Sequence, residues 1–539
     1  MITSMLNTSF LFISLSPDAD IFWKLVAVAT IPVILLIVLL GVLKMSGDKS
    51  ALLTLVATIL IAFIFFEFPV YDMGLTVLYG VLKAFFPILI IIIMAIFSYN
   101  VLVSTGKMEI IKEQFTSVSS DKSIQVLLLT WGFGGLLEGM AGFGTAVAIP
   151  AAILISLGFK PVFSAVVSLI ANSVNTGFGA VGTPVKVLAQ QAGVADVQAL
   201  STHVVLQLSP LMILIPFVLV FLADPNIKSL PRHILLSVIV GSVSLGTQYM
   251  AARYIGAETP AIIGSIASII ATIIYAKITS TQKDKELKAQ FPKRSLSEIL
   301  QAWSVYGIIL ILVILTSPLL PLREILAPLL TSTINFNITD VATQSIVLRS
   351  VKISWLIDTG VLLFLGSMMG GLVQGAEIAA LFKLLWKVVK QQRKTIITVC
   401  SLIALSSVMD FAGMIYVLGV ALSIATGSFY PLFAPTIGCV GTFLTGSDTS
   451  SNILFGKLQA NVANNIGADS SWLAAANTAG ATGGKIISPQ SIAVATSAIG
   501  QQGKEGEIMK KALPYALGYI VVAGLTVYFI PKLFGGVIF

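Results

Sequence analysis

WGFGGLLEGMAGFGTAVAIP (131–150) sets a single carboxylate, Glu138, in an apolar run punctuated by glycines at 134, 135, 139, 142 and 144. Glycine permits a tight chain reversal and lets helices approach closely. A carboxylate in a long apolar stretch is costly unless it is protonated, paired or functional. The stretch therefore predicts a helical hairpin that turns back inside a membrane. At its tip Glu138 either bonds backbone amides as a structural acid or carries a proton or ion.

Three further stretches are apolar at their flanks and broken by polar residues and glycine. In LIANSVNTGFGAVGTPVKVL (169–188), Asn172, Ser173, Asn175, Thr176 and Thr183 cluster where a helix should cross mid-membrane, and Gly177, Gly179, Gly182 and Pro184 interrupt it. Such a break frees amide donors at the start of the next half-helix, where the positive dipole end favours an anion. Small-residue packing with interhelical hydrogen bonds would produce a similar pattern. In GTFLTGSDTSSNILFG (441–456), Ser447, Asp448, Thr449, Ser450, Ser451 and Asn452 make either a second such break or a short solvent loop. In AAANTAGATGGKIISPQSIAVA (474–495), Asn477, Thr478 and Thr482 precede an expected Gly-Gly break, followed by Lys485. That lysine is a partner for Asp448, for Glu138 or for a substrate carboxylate, unless it snorkels to the headgroups. Broken backbone at membrane depth must be buried in protein or line a water-filled cavity, so the function is expected at these stretches.

The rest of the chain agrees with a membrane setting. Of 539 residues, 56% are hydrophobic and 10% charged, against about 25% charged in soluble domains. Continuous apolar runs at 21–43, 51–68, 75–103, 204–223, 233–250, 260–278, 299–317, 352–372 and 513–534 are near spanning length, with a further ambiguous piece at 321–335. The runs do not alternate, which excludes a membrane β-barrel. The first run follows a short acidic segment with Asp18 and Asp20 and has no basic flank, so it is expected to be a retained span and not a signal peptide. The net charge of +8 sits in short loops and fits positive-inside bias better than a nucleic-acid partner. Lys283, Lys285, Lys288, Lys293 and Arg294 place the loop 279–298 in the cytoplasm, and Lys44 and Lys49 place the first loop there. Cys400 and Cys439 form no disulfide or metal pattern, and His203 and His233 suggest neither a metal site nor a proton relay. No cofactor is implied, and neither a nucleophile–base pair nor a cofactor fingerprint points to an enzyme.

Sparse matches recur at one offset. Gly142 pairs with Gly413, Pro161 with Pro431 and Glu109 with Glu377, so that Asp410 stands opposite Glu138. The expected fold is an all-α polytopic membrane protein of about 12–14 helices, a single unit over 1–539. It would have two pseudo-repeats, about 21–223 and about 299–534, each with a re-entrant hairpin and a broken helix. Such duplication is common in secondary transporters, often with inverted topology. Lys383, Lys387, Lys390, Arg393 and Lys394 resist inversion, because they put the second surface helix on the same side as the first.

The string from GFGGLLEGMAGFG to IANSVNTGFG, together with FLTGSDTSSNILFGKLQ and AANTAGATGGKIISPQSIA, resembles the lactate permease family over about 20–534. The resemblance implies proton-coupled uptake of L-lactate and related 2-hydroxymonocarboxylates such as D-lactate and glycolate, a multi-pass location in the bacterial plasma membrane, and no cofactor beyond the proton gradient. The paired hairpins and broken helices also look like the wider ion-transporter superfamily, which implies elevator motion and is compatible with a homodimer. One departure is Asp410, where the family usually has an uncharged residue. The expected substrate residues are Asn172, Asn175, Thr176, Ser447, Thr449, Asn452, Asn477 and Lys485, and the expected proton-coupling residues are Glu138, Asp448 and Asp410. The alternative is a sodium-coupled carboxylate carrier, with Asp448 and its hydroxyl neighbours holding Na⁺.

Overall fold

A computed structural model describes residues 20–43, 45–142, 144–318, 320–326, 328–501 and 504–538; Asp18 and Lys44 lie outside the described residues. Among these, ten helices are long and apolar enough to cross a membrane. Pro161–Thr176 and Gly179–Ala192, bent by 48°, make an eleventh as a pair, and Thr145–Ser156 and Thr359–Val373 are shorter apolar helices. Their lateral packing follows lipid logic. Helix Gly47–Phe65 turns Leu52, Leu60, Phe63 and Ile64 outward and buries Ser50, Thr54 and Thr58. Thr54 and Thr58 donate to carbonyls one turn earlier, at 2.8 and 2.7 Å, so burying their hydroxyls leaves no orphaned donor.

Two expected spans differ in detail. The run 75–103 lies within Val70–Lys83 and Ile90–Ser104, which are joined by a wide-turn segment in which Phe86 is extended (φ −118, ψ 109). Pro87 follows, and proline disfavours helical backbone at the residue before it. The run 352–372 is part strand, part helix. Thr331–Asp340 (β1) and Ser345–Ser354 (β2) pair antiparallel, Thr331 opposite Ser354 and Asp340 opposite Ser345. The ambiguous piece 321–335 is thus a short helix, Leu322–Leu326, leading into β1. Asp358 is not inside a span; it caps helix Thr359–Val373 by accepting from the Gly360 amide at 2.9 Å. The β-hairpin buries Phe336, Ile338 and Val351 in one cluster with Tyr79 and Phe411.

The first hairpin rises through Lys122–Val126, Leu127–Phe133 and Gly134–Met140, turns at Gly142 and Gly144 (φ 61 and 89), and returns as Thr145–Ser156. Its counterpart has a turn at Gly413 (φ 80), but its first arm, Arg393–Phe411, is itself long enough to cross. The first arm of the first hairpin, residues 122–140, is of the same length, 19 residues, but less apolar and is not among the ten. Three hydrogen bonds join residues 268 or 269 positions apart, the spacing of the matched motifs: Thr105 to Gln374 (2.6 Å), His203 to Ser471 (3.0 Å) and Asn452 to the Pro184 carbonyl (3.0 Å). The first of them ties together the helix ends that precede the two surface helices, Lys107–Thr116 and Ile378–Gln391. The two surface helices therefore start side by side, the arrangement their basic residues favour.

Glycines set the closest helix crossing. A methyl at Gly480 would lie 1.6 Å from the Pro435 carbonyl oxygen, and one at Gly484 would lie 2.4 Å from that of Cys439. The expected Gly483–Gly484 break is absent: helix Ser470–Lys485 runs through both residues. Their missing side chains serve close approach between helices instead.

Candidate functional site

The first broken helix stops at Thr176, and Gly177 is its C-cap. The next half-helix opens with Ala180, Val181 and Gly182 at φ 43, 54 and 73, a left-handed turn. At Gly182 only glycine fits, since a Cβ would sit 2.1 Å from the Ala257 carbonyl oxygen. In the second half, helix Tyr430–Thr445 ends at Gly446 (φ 72) and Asp448–Ile466 begins after Ser447, whose hydroxyl accepts from the Ser450 amide at 3.2 Å. Both half-helix starts are buried, so their amide ends present positive potential inside the protein.

Glu138, from the hairpin tip, reaches the first break. It is 4% exposed, and its Oε1 would lie 2.6 Å from a methyl at Gly179; only a missing side chain lets the carboxylate occupy that place. Its Oε2 has no hydrogen-bond partner. Asp448 opens the second half-helix, 3% exposed; one oxygen accepts from Thr442 at 3.2 Å and Oδ2 has no partner. Asn172 lies beside Glu138, near enough to lend its carboxylate a weak hydrogen bond, but neither its amide nitrogen nor its oxygen has a partner in good hydrogen-bond geometry. Half-buried Lys485 donates to the Gly446 carbonyl at 3.1 Å and acts electrostatically on both Glu138 and Asp448. Two carboxylates, one ammonium and one free amide thus face a common interior region. Buried groups left unpaired in this way call for a ligand, an ion or water.

Other expected residues are already committed. Asn452 donates to Thr478 (2.9 Å) and to the Pro184 carbonyl, and it accepts from Asn477 (2.9 Å). Asn477 also accepts from Gln459 (3.3 Å). This network pins helix Asp448–Ile466 to Ser470–Lys485, so Asn452 and Asn477 hold the site's frame rather than face its interior. Thr176 donates to the Ser173 carbonyl at 2.6 Å and lies within reach of Asp448. Asn175 accepts from Gln248 at 3.4 Å and packs on Gly135. Ser447 serves as a cap, and Thr449 is half-buried in the first turn of its helix. Asp410 lies elsewhere. It pairs with Lys457 at 3.8 Å, beyond two turns from Asp448 along that helix, and shares its surroundings with Lys83 and Arg349. The tip acid of the second half is thus held at Lys457 and not beside Asp448 and Lys485.

Thr442, Gly446, Gln248 and Gly179 were not singled out as partners in the sequence. Thr442 and Gly446 lay inside a quoted motif, but Gln248 is a lone amide in an apolar helix and carries no local signal. No group of three or more His, Cys, Asp or Glu residues that could hold a metal occurs among the described residues.

The class these features define is a multi-pass helical membrane protein whose polar and charged groups converge inside it at broken helices. The chain belongs to the L-lactate permease family, whose model matches residues 25–534. It is 40% identical over 448 residues to an L-lactate permease of Streptococcus iniae, covering 83% of this chain and 92% of that one. It is 33% identical over 544 residues to the glycolate permease GlcA of Escherichia coli K12, covering 95% and 96%. A looser likeness, 15% identical with a TM-score of 0.45 and covering 96% and 99%, links it to the YdaH transporter of Alcanivorax borkumensis.

Proposed function

We propose that the protein carries L-lactate and related 2-hydroxymonocarboxylates, D-lactate and glycolate among them, across the plasma membrane together with a proton. Family membership and the names of its lactate- and glycolate-carrying relatives support the substrate class. The observation that carries the coupling is the pair of buried, half-unpartnered carboxylates, Glu138 and Asp448, sharing one ammonium, Lys485.

With both acids ionised, the site holds one uncompensated negative charge, and a second anion entering a desolvated pocket is strongly disfavoured. A proton on either acid releases Lys485 to face the substrate carboxylate. Proton and lactate then bind together and the net charge of the site does not change. Asn172 offers its free amide to the 2-hydroxyl, and the half-helix amides complete the cradle. Carrying a proton with each lactate also removes the opposition of an inside-negative potential, ~2.3 kcal/mol per 100 mV, and adds the pH gradient as a drive. The two halves of the chain, about 21–223 and about 299–534, supply one broken helix each to this site.

The test is uptake of labelled L-lactate into proteoliposomes under an imposed acid-outside gradient, with and without Na⁺. Accumulation that collapses with a protonophore, ignores Na⁺ and is competed by glycolate is expected. Accumulation that requires Na⁺, or none under a pH gradient, contradicts the proposal.

A further inference from the structure

A cavity of about 1120 Å³ lies between the surface helix Ile378–Gln391 and the joined helix ends at Thr105 and Gln374. It exceeds the usual small-molecule pocket of about 300–1,000 Å³. Five cations line it, Lys383, Lys387, Lys390, Arg393 and Lys394, and no carboxylate does. All five are exposed, and none forms an ion pair among the described residues. Asp48, which lies outside the lining, acts electrostatically toward Lys394. Repulsion within such a cluster disfavours the empty state.

The remaining wall is apolar. Leu381, Leu384 and Trp386 contribute to it, and the same helix turns Ile378, Phe382 and Trp386 outward, 51–61% exposed. Lys107 donates to Gln301 at 2.7 Å, which places the cavity on the membrane face of the Lys-rich segment 279–298. A cationic rim above an apolar wall at the membrane surface is matched by an amphiphile with an anionic head, and the inner leaflet supplies anionic phospholipid at that depth.

We propose that this cavity is a binding site for an anionic phospholipid, its phosphate held by Lys387, Lys390 and Arg393 and its acyl chains laid along Leu381, Leu384 and Trp386. The site is separate from the transport site and does not depend on the substrate assigned there. Lysine or arginine near the surface contributes about fivefold each to such binding. The triple variant Lys387→Gln, Lys390→Gln, Arg393→Gln should therefore retain about a hundredfold less phosphatidylglycerol.

The experiment is native mass spectrometry of the full chain taken from phosphatidylglycerol–phosphatidylethanolamine vesicles. Wild type is expected to keep phosphatidylglycerol in preference to phosphatidylethanolamine. The triple variant should lose it. A control with Lys283→Gln, Lys285→Gln and Lys288→Gln, three exposed lysines of helix Gln282–Ala289 on the same face, should keep it. Should the triple variant fail to reach the membrane, Lys387→Gln alone should show a loss of about fivefold. Equal loss in the control, unchanged retention in the variants, or displacement of the lipid by inorganic phosphate would overturn the proposal; the last outcome would assign the cations to a soluble anion.

Discussion

Glu138 and Asp410 hold matching places in the sequence and opposite places in the structure. Glu138 is buried against Gly179 with one oxygen unpartnered, while Asp410 faces Lys457 in a partly buried ion pair. Glu138→Gln should therefore lower pH-driven lactate accumulation by about tenfold or more, the readout of a 1.4 kcal/mol loss, with the protein still in the membrane. Asp410→Asn should leave accumulation within about twofold, since its pair with Lys457 lies apart from Glu138, Asp448 and Lys485. Uptake assays on both variants check this contrast; equal loss in the two would remove Glu138 from its special role. Gly179→Ala probes the same contact from the other side. A methyl there displaces the Glu138 carboxylate, so transport should fall while the chain still folds, measured as uptake against protein level in the membrane.

At the scale of elements, one acid joins the chain's middle connection to the foot of the first hairpin. Asp284 accepts from Ser119, from the amide and hydroxyl of Ser120, and from the amide and hydroxyl of Thr281, at 2.6–3.1 Å. Burial alone would push its carboxyl up, but the Ser120 and Thr281 bonds outweigh it and hold the group well below the usual carboxylate range. The sign follows from linkage. A depressed native pKa stabilises the fold above the unfolded value, about 3.9, and that contribution is lost as pH falls toward the native pKa. Asp284→Asn should cost about 1–3 kcal/mol at neutral pH, and the gap to wild type should narrow below about pH 4. Thermal unfolding in detergent at pH 7 and at pH 3.5 measures both; a gap that is constant with pH would contradict the assignment.

This clamp also marks a limit of sequence reading. The Thr281–Asp284 cap is a local pair, but Ser119 and Ser120 lie 165 and 164 positions from Asp284, and nothing local pairs them with it. The Glu138 hairpin and the two breaks were legible, because glycine and polar residues in apolar surroundings are locally improbable. The β-hairpin was not, because Ile353 reads equally well as the start of the run 352–372 until the pairing of Ser345–Ser354 with Thr331–Asp340 is known. Gly483–Gly484 misled for a related reason. In water, paired glycines weaken a helix, but beside Tyr519 and Cys439 they create room for a neighbour. Asn452 and Asn477 were recognised as polar and deep, yet whether an amide faces a partner or a cavity is a tertiary fact.

Across the whole molecule, apolar side chains form both the lipid-facing surface and most of the core, and Glu138 and Asp448 are the acids buried at the two breaks. The proposed coupling then reduces to which groups meet at the two breaks. Determining the structure with bound L-lactate addresses this most directly. The account predicts density for the acid between Thr176–Gly179 and Gly446–Asp448, its carboxylate on Lys485 and its hydroxyl toward Asn172, with Glu138 and Asp448 as flanking acids. Lactate seated anywhere else, with Lys485 still bound to the Gly446 carbonyl and Glu138 untouched, would contradict it.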